Sequence, residues 1–439
     1  FARGGAGGRS QGGYGGRAGN ADSRLTTAST ATNVEAVTQA TGGEGGGADG
    51  GLAASGGTAL AETRLTAGQA GIARATATGG RGGGGLDGNA EPGFGGEARA
   101  FASLVAGADA RATAIATGGR GGTGAFTGER GGDAAAEAYA TGAGQVLATA
   151  SAEAGRGGTG DEPAPYGNAS ASSGATTAGI GHVASARATI DGRAGAADAT
   201  ARASGGRVAS LMSRAATDID SEFPGEGANA VAGAVATVGG STDLDVYALA
   251  NEGLTGVSVA ALPGQDVLDQ ILAVSPEVAE AFAGGTDPLF AATLGAFTGY
   301  GNEPGSRARS ATFWLTVDVG TGPGTDFLLG LVNPLGLESG FQSLHLQAWA
   351  DGNTLLDVSF ADLSYATSFF DDTLLNLGPL SGGPDGLVEL EFSLDFLGGG
   401  SGDGFYFNAV GASVVPLPGA AWLFAAALGL LGCHARRRG

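Results

Sequence analysis

The feature that most constrains this chain is a repeat of its glycine blocks. Similar segments begin at residue 2 (ARGGAGG), 40 (ATGGEGG), 77 and 116 (ATGGRGG), 152 (AEAGRGG) and 188 (ATIDGRAG), at spacings of 38, 37, 39, 36 and 36 residues. Six copies of one unit over the first 240 residues point to an array or solenoid in which each unit stacks on the next. Between the glycine blocks, alanine alternates with larger or polar residues. Ala98, Ala100 and Ala102 alternate with Arg99, Phe101 and Ser103, and Ala108 to Ala116 alternate with Asp109, Arg111, Thr113 and Ile115. Period two is the strand signal. Alanine by itself prefers helix, but Thr, Val and Gly interleave and the glycine blocks interrupt every run, so strands are expected. Gly-rich loops are expected between them. Gly and Ala bury little apolar area, so the array is either a slim β-solenoid or stacked hairpins, partly disordered.

From about residue 241, Phe, Leu, Val and Asp replace Ala and Gly. Val388, Leu390, Phe392, Leu394 and Phe396 alternate with Glu389, Glu391, Ser393 and Asp395, which predicts a strand with one wet face. Phe313, Leu315, Val317 and Val319 predict another, as do Leu344, Leu346 and Ala348, and Phe405, Phe407 and Ala409. Residues 264–283 read as a helix with Val267, Leu268, Ile271 and Leu272 on one face. The expected fold is mainly β: repeats over 1–240, a β-sandwich with one or two helices over 241–410, a linker over 411–418 and a transmembrane helix over 419–439.

The charge is lopsided. All 22 basic residues are Arg, and the formal net charge is −21. Residues 1–222 hold 17 Arg against 20 Asp/Glu, whereas residues 223–439 hold 5 against 23. So acidic a C-terminal half repels phosphate backbones, and no nucleic-acid partner is expected. Cys433 is the only cysteine, so the chain has no internal disulfide. Phe1 is followed by no charged-then-apolar leader, so the expectation is a fragment or processed form with its leader upstream.

Residues 416–439 read PLPGAAWLFAAALGLLGCHARRRG. Gly419 to Ala435 carry no charged side chain, a stretch at the short end for crossing a bilayer. Arg436, Arg437 and Arg438 follow and oppose translocation. Trp422 lies near the other end, and Pro416 and Pro418 mark where a helix begins. This order of parts resembles the PEP-CTERM sorting signal of Gram-negative bacteria, a tail also labelled ice-binding protein C-terminal domain. Val415-Pro416-Leu417-Pro418 stands where the family usually has V-P-E-P, with Leu417 replacing the Glu. The resemblance covers about 25 residues. It implies recognition by an exosortase at the inner membrane, cleavage near the Pro motif, and a place at the cell surface or in an exopolysaccharide matrix. The segment over 241–410 more loosely resembles the sandwich domains found ahead of such tails.

No enzyme is expected. Asp371-Asp372 and Asp243/Asp245 are paired carboxylates, but their plain reading is turn or strand-edge acids. No nucleophile-elbow motif is present, and the GGxGG blocks lack the GK[ST] ending of a phosphate loop. His182, His345 and His434 lie far apart and have no metal-ligand spacing. Gly45–Gly50 and Gly83–Gly88 resemble calcium-binding Gly/Asp repeats in isolated copies. Calcium there is the one cofactor candidate, against a plain turn. Alternation places Trp314 and Trp349 on polar strand faces, Trp349 beside His345 and Gln347, a candidate carbohydrate platform. The competing expectation is that the helix over 264–283 covers that face and both indoles are core. The function expected is a structural or adhesive surface protein; the alternative is a carbohydrate-, calcium- or ice-binding module on the same anchor.

Overall fold

The computed structural model describes residues 1–414 apart from 86–89, 163, 180–181, 191–192, 206, 217–227, 237–253, 284–285, 300–305, 320–324 and 385. The sorting motif Val415–Pro418, the apolar segment after it, Arg436–Arg438 and Asp243/Asp245 lie outside the described residues. No helix among the described residues is long and apolar enough to cross a membrane.

The protein is mainly β, with a β-solenoid of about five turns. Each repeat contributes two strands, and the two enter different sheets. Ala59–Ala67, Ala98–Ala106 and Ala134–Gly142 stack in parallel in one sheet; Ala70–Thr78, Ala110–Thr117 and Val146–Glu153 stack in parallel in the other. A repeat therefore folds as an arch whose strands face each other across the core. Hairpins would have bonded them edge to edge. The alanines are what this requires. Ala100, Ala102, Ala112, Ala114 and Ala116 all point inward and are buried, and a methyl group is the largest side chain that two closely spaced sheets accept on every rung. The alternating Arg, Thr, Glu and Phe face out. Several buried hydroxyls are bonded: Thr38 Oγ1 lies 2.8 Å from Thr63 Oγ1, and Ser213 Oγ donates to the Ala199 carbonyl at 2.6 Å.

The glycine blocks are not the loops the sequence suggests. Gly4, Gly7 and Ser10 donate to the carbonyls of Thr41, Glu44 and Gly47 at 2.8, 2.8 and 3.0 Å, a backbone bond at every third residue. Gly16 and Gly19 donate to Gly8 and Gly5 of the antiparallel neighbouring segment, both at 2.8 Å, while Gly43 and Gly46 donate onward to Gly19 and Gly16. A period of three with no bonds inside the segment is the habit of a polyproline II helix. Each repeat thus sends one such helix out and brings one back, and these pack into a bonded bundle beside the sheets. The GGx spacing follows from the period. Two residues per turn meet a neighbour's backbone and must lack a Cβ, whereas the third, such as Arg81 or Arg120, is exposed.

The two sheets do not stop where the composition changes. The 12-stranded sheet continues from Arg207–Ala215 through Thr255–Ala261, Asp287–Phe297, Gly404–Val414, Thr325–Leu337 and Thr373–Leu380, now antiparallel. The 11-stranded sheet continues from Ala228–Ala236 through Arg307–Asp318, Leu387–Gly398, Ser343–Ala350 and Asn353–Phe360. One hydrophobic core runs through both regions. Its filling changes from alanine to rings: Phe313 stacks on Phe392 at 4.7 Å, and Phe290 lies 5.2 Å from each. The last strand, Gly404–Val414, takes in residues 411–414, which the composition suggests as the start of a linker; Gly411 and Ala412 are paired on both sides.

Among the described residues there are three short helices: α1 (Gln265–Leu272), α2 (Pro276–Ala283) and α3 (Leu363–Phe370). The single helix expected over 264–283 is two, broken before Pro276, which disfavours helical geometry in the residue ahead of it. The buried face of α1 is Val267, Leu268, Ile271 and Leu272, the four residues expected.

Candidate functional site

The outer face of the 11-stranded sheet is where the sequence-derived platform residues meet. Strand Arg307–Asp318 turns Phe313, Leu315 and Val317 inward, so Trp314 points out; strand Ser343–Ala350 turns Leu344, Leu346 and Ala348 inward, so His345, Gln347 and Trp349 point out. Strand Leu387–Gly398 runs between them. Its Glu391 is paired with Trp314 on one side and Trp349 on the other. Two indoles thus flank one carboxylate in a single line across three strands. Two strand spacings separate the indole positions by about 10 Å.

Both tryptophans are half-buried, and Glu389, Glu391 and Asp395 are exposed. On the solenoid side, the Arg202 guanidinium lies 5.5 Å from the centre of the Trp314 ring, a cation–π distance. Gly233 sits between them in register. At the other edge, His345 Nε2 is 2.7 Å from Asp357 Oδ1, and Gln347 Nε2 donates to Asp357 Oδ2 at 3.4 Å. The hydrogen bond from His345, with a smaller one from Gln347, holds the Asp357 carboxyl below the usual carboxylate range. Thr312 Oγ1 and Ser393 Oγ are 3.0 Å apart in the next row. The face therefore combines flat apolar rings with fixed acceptors, as a sugar ring's C–H face and hydroxyls require.

The expectation that the helix over 264–283 covers these indoles is overturned. Helices α1 and α2 pack on the other sheet, their Val267, Leu268, Ile271 and Val278 against Ala260, Ala291, Val332 and Val410. Those four residues are outward positions of the 12-stranded sheet, and they are apolar, so the helices bury an apolar outer face there. The outer face bearing Trp314 has Thr, Glu and Asp around the rings instead, which would leave a helix with unpaired polar groups.

The other residues flagged in the sequence have structural places. Asp372 caps α2: its carboxylate accepts from the backbone N–H of Glu277 and of Val278, both at 3.0 Å, a favourable charge at a helix N-terminus. Asp49 pairs with Arg9 at 3.1 Å. Residues 86–88 of the second glycine–aspartate loop lie outside the described residues. Among the described residues no three His, Cys, Asp or Glu side chains come together as a metal site. Arg202 and the central place of Glu391 were missed in the sequence. Register across non-adjacent strands decides both, and hydropathy alternation carries no register between strands that are distant in the chain.

No protein-family model and no curated protein matches this chain.

Proposed function

We propose that this is an exported structural or adhesive protein of the bacterial surface or extracellular matrix, sorted by its PEP-CTERM-like tail and holding a neutral polysaccharide on the Trp314–Glu391–Trp349 face. The observation that carries the reading is that line of two indoles about a carboxylate, on a sheet face that neither α1 nor α2 covers. An extended β-linked glycan advances by about one strand spacing, roughly 5 Å, per sugar. Alternate sugars of a two-fold chain then reach both indoles with the same face, and the sugar between them meets Glu391. The acidic surroundings disfavour a polyanion at this face.

Isothermal titration of the full chain with the host's neutral exopolysaccharide fraction tests the platform. Trp314→Ala and Trp349→Ala are each expected to weaken binding roughly tenfold or more, as central aromatic anchors do, with the melting transition retained. Undiminished binding in both folded variants would remove the platform. The tail is tested separately. Replacing Arg436, Arg437 and Arg438 by Ser is expected to shift a tagged protein from the membrane fraction to the medium, because an electrostatic stop is lost. An unchanged distribution counts against the sorting reading.

A further inference from the structure

A second surface lies on the solenoid, away from the tryptophans. In the outgoing polyproline II-type helices the third residue of GGx is the exposed one, and in three consecutive repeats it is arginine: Arg81, Arg120 and Arg156. Backbone bonds put them in one column. Gly82 donates to the Arg120 carbonyl and Gly121 to the Arg156 carbonyl, both at 2.8 Å. The guanidinium stems therefore leave the surface at steps of about 5 Å. Like charges so spaced repel, yet among the described residues none of the three has an ion pair or side-chain hydrogen bond. Other arginines of the solenoid do: Arg64 with Glu62 at 2.6 Å, Arg74 with Glu35 at 3.3 Å, Arg99 with Glu97 at 3.5 Å and Arg130 with Asp133 at 2.6 Å. Glu44 stands one rung before Arg81, and Glu153 stands in the neighbouring column beyond Thr117. Neither pairs with the ladder. Hydroxyls flank it on both sides: Thr78 and Thr117 three residues before, Thr123 and Thr159 three residues after.

We propose that this ladder is a binding track for a linear acidic polysaccharide bearing about one carboxylate per sugar. The charge spacing argues for that class. A uronate chain carries a charge roughly every 5 Å along its length, close to the rung spacing, and its hydroxyls meet the threonine columns. Duplex DNA carries a charge about every 1.7 Å, and a protein of net charge −21 repels so dense a polyanion far more strongly. Each guanidinium presents a fork that fits a carboxylate through two hydrogen bonds. The track does not depend on the tryptophan face, and the two are separable by mutation.

The test is calorimetric titration of the full chain with linear oligogalacturonates of three and six sugars, at low and at physiological salt. The wild type is expected to bind the hexamer, more weakly as salt rises. Joint Arg81→Gln, Arg120→Gln and Arg156→Gln substitution is expected to lower affinity by about tenfold or more, and the three Arg→Lys changes together by much less. Arg99→Gln, whose arginine is already paired, and Trp314→Ala are expected to leave uronate binding unchanged. Because the three side chains face solvent, the melting transition should not move; if the triple glutamine variant nevertheless fails to fold, the single variants decide, each expected to lose about threefold. No binding by the wild type, equal binding by the folded glutamine variants, or tighter binding of a single-stranded DNA oligomer than of oligogalacturonate would each overturn the proposal.

Discussion

Gly119→Ala is expected to destabilise the protein by more than about 4 kcal/mol, a loss usually confined to large core mutations, although it adds only one methyl group. Gly119 sits inside the bundle of three-fold helices. Its N–H donates to Gly96 at 2.8 Å and its carbonyl accepts from Gly132 at 2.7 Å. A Cβ there would fall on the Gly80 carbonyl oxygen, 2.7 Å from the carbon of that group and 2.8 Å from Gly96 N. These atoms are backbone and are themselves bonded, so they cannot step aside as a side chain would. The matched control is Gly5→Ala, where a Cβ meets nothing within 4 Å. That change is expected to be neutral or to stabilise by up to about 1 kcal/mol, since it restricts the unfolded chain. Thermal and urea denaturation followed by circular dichroism measures both. Equal midpoints for the two variants would show that the glycine blocks are not packed as described.

Phe392→Ala is expected to cost about 3–5 kcal/mol, the usual range for removing a buried ring. Phe392 is 1% exposed, stacks on Phe313 and touches Phe290. These rings come from both sheets: Phe290 belongs to the 12-stranded one, Phe313 and Phe392 to the other. The cavity would therefore lie between the sheets, where neither can close on it without breaking register. Phe94, 55% exposed on a returning glycine helix, is the comparison: Phe94→Ala should stay within about 0.5 kcal/mol of wild type. A denaturation midpoint for Phe392→Ala indistinguishable from that of Phe94→Ala would contradict the assignment of this cluster as the centre of the core.

Much of this architecture was legible in the residues, and the failures have physical causes. Alternation at Ala98–Ala102 and at Val388–Phe396 reported sheet faces correctly, because side chains on a strand alternate whatever the strand pairs with. It also turned Trp314 and Trp349 outward. The glycine blocks were misread because GGx satisfies two demands at once. Gly is the common turn residue, and it is equally the residue that lets extended helices touch backbone to backbone. Only the strict spacing of Gly79-Gly80, Gly82-Gly83 and Gly85 favours the second. The change of composition near residue 240 suggested a new domain, whereas it marks a change in what fills one shared core. Helix α1 was legible as an element from its apolar face, but which sheet it covers depends on outward residues such as Ala291, Val332 and Val410, which lie on strands far from it in the chain. Helix α3 gave little warning beyond Asp362, whose side chain accepts from the Tyr365 N–H at 2.9 Å.

The largely alanine rungs make the solenoid a ruler with discrete graduations. Most inward positions of successive repeats carry the same methyl group: Ala59, Ala98 and Ala134 stand in register, as do Ala61, Ala100 and Ala136, while Leu65 and Leu104 give way to Ala140. A chain longer or shorter by one whole unit keeps its cross-section, its core and its register. What changes is length, by one strand spacing of about 4.8 Å per unit. The separation between whatever is held at the tryptophan end and whatever lies beyond the far rungs is thus counted out in half-nanometre increments, each written as some three dozen residues.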